Sequence, residues 1–299
     1  MAIVAVGAPE LARATPGTDL ETRRRPWLPL AVGAIAFAIA FARPAWTLGR
    51  DWMTDPEAGH GLLLAPLALY LAWRSGVPER GRGRPVAGLV VLAGSLLLRC
   101  LSGLAAELFT MRVSMLGALV GLVIYAYGWG QLKRWWLPAA LLLLSIPLPA
   151  LVTASLALPL QLQASKIGAA LLSWRRVPVM LAGNVINLPG RSLFVTEACS
   201  GLRSLTALIA LGVLIGGLWL RTPWMRALLV LAALPVAVLL NGIRVFLTGY
   251  LVFFVDPEMG DGFMHLTEGW IIFLVAFAIL GGVGWVLAGT ERILKRHGT

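Results

Sequence analysis

One ten-residue stretch, Val195-Thr196-Glu197-Ala198-Cys199-Ser200-Gly201-Leu202-Arg203-Ser204, places a thiol, an acid and a base where a long apolar run begins. Ionisable groups are costly in lipid, so such a cluster at the mouth of a hydrophobic segment calls for a reason. A free thiol, with a pKa of ~8.5, is mostly protonated at neutral pH; a helix N-terminus or a nearby cation lowers it. Cys199 falls in the first turn of an expected helix, with Arg203 four residues on along the same face. A cysteine nucleophile also needs a proton partner, and His265 has the chemistry to take the thiol proton and return it to a leaving amine. Arg244, with backbone N–H groups near Ser200 and Gly201, suits the oxyanion of a tetrahedral intermediate. Together these residue types describe acyl transfer through a thioester.

Each residue has a plainer reading. A cysteine in a membrane helix is often a small filler, and Cys100, mid-span beside Arg99, keeps that reading. Arg244 alone reads as an arginine reaching for the interface, and Glu197 and Arg203 as marks of a span end. His265 alone reads as a hydrated loop histidine, and His297 lies in a charged tail. His60, in Gly59-His60-Gly61, is either a second base or a residue that positions structure or substrate, and the latter is favoured. The two cysteines give no disulfide framework, and three widely spaced histidines give no metal-ligand spacing. No metal and no cofactor is expected.

The elements that must position these groups are membrane helices. Of 299 residues, 59% are hydrophobic and 13% charged, with a mean hydropathy of +0.83, whereas a soluble domain carries about 25% charged residues. Apolar runs cover roughly 27–43, 59–74, 86–106, 108–129, 135–152, 199–220, 223–243 and 266–288, which predicts about eight transmembrane helices. The fold class expected is an all-α polytopic membrane protein. Ala40-Phe41-Ala42 loosely resembles a signal-cleavage site, but a topology with both ends inside needs the first span.

The net charge of +11 sits in short connections rather than on a soluble basic face, which argues against a nucleic-acid partner. Segments 1–26, 74–85, 130–136, 220–226 and 289–299 hold 15 Lys/Arg against 5 Asp/Glu. By the positive-inside rule these face the cytoplasm. Residues 1–26 and 289–299 are then cytoplasmic tails, and 27–288 is one integral-membrane domain in the cytoplasmic (inner) membrane. This arrangement brings Cys199, Arg244, His265 and His60 to one outer surface, facing the periplasm or exterior.

Two regions fit the span pattern less simply. Trp224 to Val255 is too long for one span and short for two, so a break is expected at Asn241-Gly242, with 245–254 continuing as a kinked or surface-lying helix. The connection 153–198 opens with an amphipathic helix from Leu156 to Trp174, interrupted at Pro159. It continues with β-prone runs at 177–181, 185–188 and 192–195, separated by Gly183-Asn184 and Pro189-Gly190. These turn signals predict a small extracytoplasmic hairpin just before Cys199.

Glu197-Ala198-Cys199-Ser200-Gly201-Leu202-Arg203-Ser204, Asn241-Gly242-Ile243-Arg244, and His265 followed by Gly269-Trp270 resemble the exosortase/archaeosortase family of membrane-embedded cysteine transpeptidases. The resemblance extends to His60-Gly61, the Pro159-Leu160-Gln161 region, Gly183 and Leu188-Pro189, over residues 55–288. It implies Cys199 as nucleophile, Arg244 as oxyanion partner and His265 as general acid/base, with Glu197, Ser200, Gly201, Arg203, Asn241 and His60 in supporting or substrate-binding roles. The implied partners are secreted proteins ending in a sorting signal: a motif such as Pro-Glu-Pro, a transmembrane helix and a basic tail. Membrane lipids surround the site, and the acceptor nucleophile is left open. His265 points to the bacterial branch. A multi-pass transporter of a solute or lipid-linked glycan, and a purely hydrolytic intramembrane protease, are the competing readings.

Overall fold

The computed structural model describes residues 27–77, 82–195, 202–256 and 262–297. The chain divides into two compact units, Met1–Ala42 and Arg43–Thr299. In the first unit the described residues are the opening turns of a helix, where the rings of Phe37 and Phe41 lie 4.8 Å apart. The second unit holds the end of that helix and every later element.

The elements in chain order are α1 (Trp27–Thr54), α2 (Gly61–Ser75), α3 (Pro85–Leu104), α4 (Leu108–Arg134), α5 (Trp136–Leu144), α6 (Ala150–Trp174), β1 (Met180–Ala182), β2 (Val185–Leu188), β3 (Arg191–Phe194), α7 (Leu202–Trp219), α8 (Pro223–Phe254) and α9 (Gly262–His297). Pro85 and Pro223 open α3 and α8 at positions whose N–H would have no helical partner anyway. Gly76, at φ 68°, closes α2 in a conformation that side chains resist. Large apolar side chains face outward along the helices, Leu104 at 87% exposure among them, as lipid-facing surfaces require.

Six helices among the described residues (α1, α3, α4, α7, α8 and α9) are long and apolar enough to cross a membrane. The structure therefore supports a polytopic helical protein, but with six such helices rather than eight. The expected span 135–152 is the clearest correction. Ser145 to Pro149 interrupts it, leaving α5 with nine residues, about 13 Å, and starting α6 at Ala150. Pro147 and Pro149 remove the N–H groups that would carry the helix through. The amphipathic helix expected at 156–174 begins earlier and runs unbroken through Pro159.

The break expected at Asn241-Gly242 is absent, and α8 is one helix of 32 residues. Gly242 serves close packing instead: a Cβ there would come within 2.4 Å of Ile167 on α6. Asn241 beside it is 6% exposed. The expected hairpin is a three-stranded antiparallel sheet in the order β1-β2-β3, with its turns at Gly183-Asn184 and Pro189-Gly190 as the sequence pattern indicates. Ile186 and Leu188 of β2 point inward and pack with Leu172 of α6 and Val245 and Val252 of α8.

Contact positions fix how the helices run. Gly212 lies against Val230 and Gly216 against Arg226, so α7 and α8 are antiparallel and Leu202 falls level with Leu240. These two leucines share one buried cluster. Gly284 of α9 lies against Ile215 and Trp219 of α7 and Leu229 of α8, and Glu291 binds Arg221 and Thr222. Thus α9 runs with α7 and against α8. In the α3–α4 pair, a Cβ on Gly88 would meet the Tyr125 backbone at 2.5 Å, whereas Gly94 of the same helix faces open space.

Gly88→Ala should accordingly cost about 1–3 kcal/mol through overpacking, while Gly94→Ala should be neutral or slightly stabilising. Thermal unfolding of the two variants in detergent measures the difference.

Candidate active site

The α5–α6 break opens a cavity of about 700 Å³ at the end of the bundle where α7 begins. Its wall is formed by the end of α1, the α1–α2 connection, the α3–α4 turn, the break itself and the first turns of α7. A helix end leaves carbonyls without an intrahelical partner, and here Ser145 is buried. Side chains from the α1–α2 region supply the donors. Trp52 Nε1 donates to Ser145 O at 2.8 Å. His60 Nε2 lies 3.1 Å from Leu144 O, and since a carbonyl only accepts, Nε2 carries the proton. Ser145 closes the end locally, its hydroxyl donating to Leu142 O at 2.7 Å.

Charge is handled in pairs. Arg112, one turn into α4 and only 3% exposed, donates through Nη2 to Asp51 Oδ2 at 2.6 Å. This ion pair ties the end of α1 to α4 across 61 residues of sequence. Glu107 caps α4, accepting from Phe109 N at 3.0 Å, Thr110 N at 2.6 Å and the Thr110 hydroxyl. Partial burial pushes its carboxyl upward, but the Thr110 hydroxyl, the two backbone N–H groups and the Arg112 charge outweigh that, and its pKa lies below the ordinary value of 4.5. Arg203 lines the same cavity with its side chain exposed, and Thr206 stands one turn further along α7.

Of the residues singled out in the sequence, His60 and Arg203 meet in the cavity wall. Glu197, Cys199, Ser200 and Gly201 lie outside the described residues. That stretch is bracketed by Val195, 3% exposed, and Leu202, 2% exposed. Asn184 holds Val195 from two sides: it accepts from Val195 N at 3.0 Å and donates through Nδ2 to Val195 O at 3.2 Å. Its Nδ2 also reaches Gln161 Oε1 of α6.

Asn241 and Arg244 lie on α8 outside the cavity lining, with Arg244 half-buried one turn beyond Leu240. His265 lies in the first turn of α9, and only its backbone is described. Nineteen residues separate it from Gly284, a rise of about 28 Å. The same rise along α7 from Ile215 and Trp219 passes about one turn beyond Leu202. By helix register, Arg244 and His265 thus arrive at the same height.

Sequence reading missed Asp51, Trp52, Glu107, Arg112 and Thr206. One carried a signal: Arg112 inside the apolar run 108–129 demanded a partner. Nothing in the sequence named Asp51 as that partner.

Membrane-crossing helices around an end cavity lined by ionisable side chains define a polytopic membrane protein with a polar site opening at one face. The chain matches the family model described as Transmembrane exosortase (Exosortase_EpsH) over residues 52–282, and it belongs to that family. Searches of curated proteins and of solved structures found no match.

Removing one member of the Asp51–Arg112 pair strands a buried charge, so Asp51→Asn should destabilise by about 3–5 kcal/mol. The Asp51→Asn/Arg112→Met double variant should recover part of that loss in a thermal double-mutant cycle. Because the Glu107 pKa is lower in the folded chain than in the unfolded one, its stabilisation is complete above the unfolded value and is lost as pH falls through the folded one. Glu107→Gln should remove about 1 kcal/mol near neutral pH and flatten the acid limb of the stability–pH curve.

Proposed function

We propose that this exosortase-family membrane protein is a cysteine transpeptidase that cleaves C-terminal sorting signals of secreted proteins at the outer face of the cytoplasmic membrane. The observation that carries the proposal is the common height of Arg244 and His265, one turn beyond the start of α7. Cys199 precedes Leu202 by three residues in the chain. Three residues span at most about 11 Å, so covalent reach alone keeps Cys199 close to the cavity rim at Leu202 and Arg203.

The reaction follows from these groups. The Cys199 sulfur attacks the scissile carbonyl carbon while His265 takes the thiol proton. The carbonyl oxygen becomes an oxyanion, stabilised by Arg244 and by N–H groups near Ser200 and Gly201. Collapse breaks the C–N bond, the leaving amine receives the proton from His265, and a thioester remains. An amine or hydroxyl acceptor then attacks the thioester, passes its proton through His265 and releases the thiol. Glu197 and Asn241 act as support for this set, and Arg203 and His60 line the space beside it. A substrate anchored by its own transmembrane helix meets the site at raised effective concentration. Both termini lie in the cytoplasm in this reading.

One observation favours transport instead: α5 and α6 form a broken helix beside a cavity holding a partly buried ion pair, a pattern that transporters use. Family membership weighs for the cysteine reaction, and the thiol separates the two. Cys199→Ala should abolish shortening of a tagged substrate bearing the sorting signal, by at least 10³-fold on the order expected for loss of a nucleophile. Cys100→Ala should process it normally. A Cys199→Ala variant that still yields the shortened product would exclude the thiol mechanism.

A further inference from the structure

The sheet has a polarity that the cysteine reaction does not by itself require. Val195 donates to Asn184 O, and β3 pairs Leu193 with Ile186 and Arg191 with Leu188. In an antiparallel ladder the residues that exchange hydrogen bonds alternate along the strand. Arg191 and Leu193 therefore turn their N–H and C=O toward β2, and Ser192 and Phe194 turn theirs to the opposite edge. Among the described residues nothing pairs with that edge. β1, at the other side of the sheet, is joined to α6 through residues 175–179 and is exposed along all three residues.

Edge strands in native proteins are protected by charge, proline or a bulge against pairing with another chain. The open positions of β3 carry none of these. Ser192 is small and exposed, and Phe194 is 66% exposed on the same face as Met180, also exposed. The strand is also aimed: Leu193 meets Leu172 of α6 at Gly249, Val195 is tied through Asn184 to Gln161, and so β3 runs toward the N-terminal end of α6, where Ala150 and Thr153 line the cavity. A chain laid beside β3 in the same direction is delivered to that wall.

We infer that the open edge of β3 is the docking strand for the extended stretch of substrate polypeptide just upstream of the cleaved bond, bound parallel to β3 through the N–H and C=O groups of Ser192 and Phe194. This rests on the peptide-cleaving reading above. Main-chain pairing supplies affinity with little dependence on sequence, and Phe194 offers apolar contact to a side chain of the guest. The guest is a polypeptide rather than a lipid or a glycan, because the exposed groups repeat at the two-residue period of a strand.

The test uses the full chain in detergent with a synthetic peptide carrying the sorting signal and its upstream residues. Ser192→Pro removes the outward N–H and leaves the β2 ladder intact, a substitution that edge strands accept. It should lower kcat/KM about 3- to 10-fold, mainly through KM, with unfolding temperature unchanged. Ser192→Ala keeps the N–H and should match the parent enzyme. Peptides N-methylated at one amide at a time should lose processing at every second position. Parent-like kcat/KM for Ser192→Pro with no two-residue pattern, while Cys199→Ala is inactive, overturns the docking strand and leaves the cysteine reaction standing. Processing by Cys199→Ala overturns the reading on which both rest. A change in oligomer size with unaltered kcat/KM would assign the edge to a second copy of the chain and equally defeat the inference.

Discussion

A buried backbone carbonyl without a donor costs free energy, and this constraint governs the cavity end of the molecule. A helix cannot stop at Ser145 unless something answers for its last carbonyls. Trp52 and His60 do so from a different part of the chain, at Ser145 O and Leu144 O. The break, the cavity it opens and the placement of the α1–α2 connection are thus one structural fact. Arg112 with Asp51, and Glu107 with the first turn of α4, settle the charges of the same wall. These bonds tie separate parts of the rim to one another, so the pocket is a braced opening rather than a gap in packing.

How much of this was legible in the sequence depended on the range of the interaction. Local rules carried far: the two-residue turns at Gly183-Asn184 and Pro189-Gly190 separate strands within three residues of the β-prone runs, because turn chemistry is decided by neighbours. Hydrophobic runs located the long helices for the same reason. Length and continuity were harder to read. Residues 135–152 are apolar throughout, so hydropathy sees one span, while two prolines and two distant side chains make it a break. Conversely, Asn241-Gly242 looks like punctuation, yet the glycine is there to admit Ile167 of a neighbouring helix.

The candidate site divides in the same way. His60 and Arg203 stood out by type and reappear in one cavity wall. Arg112 signalled the need for a partner, but Asp51 did not stand out as that partner, since the two lie 61 positions apart. The cysteine motif and the histidine carried a family pattern, and the match over residues 52–282 bears out that membership. Roles for individual residues belong to the chemistry proposed for them.

Glu291 gives the opposite end of the molecule a part in this. Buried on α9, it accepts from Arg221 N at 3.0 Å and from the Thr222 hydroxyl at the turn between α7 and α8. From there back to His265 runs uninterrupted helix, 26 residues or about 39 Å. A rod pinned at its far end sets the height of its tip. The carboxylate that fastens α9 at one face therefore works as a depth gauge for the histidine at the other, and a helical insertion between them would shift His265 by about 1.5 Å per residue while leaving every neighbour of the cavity in place.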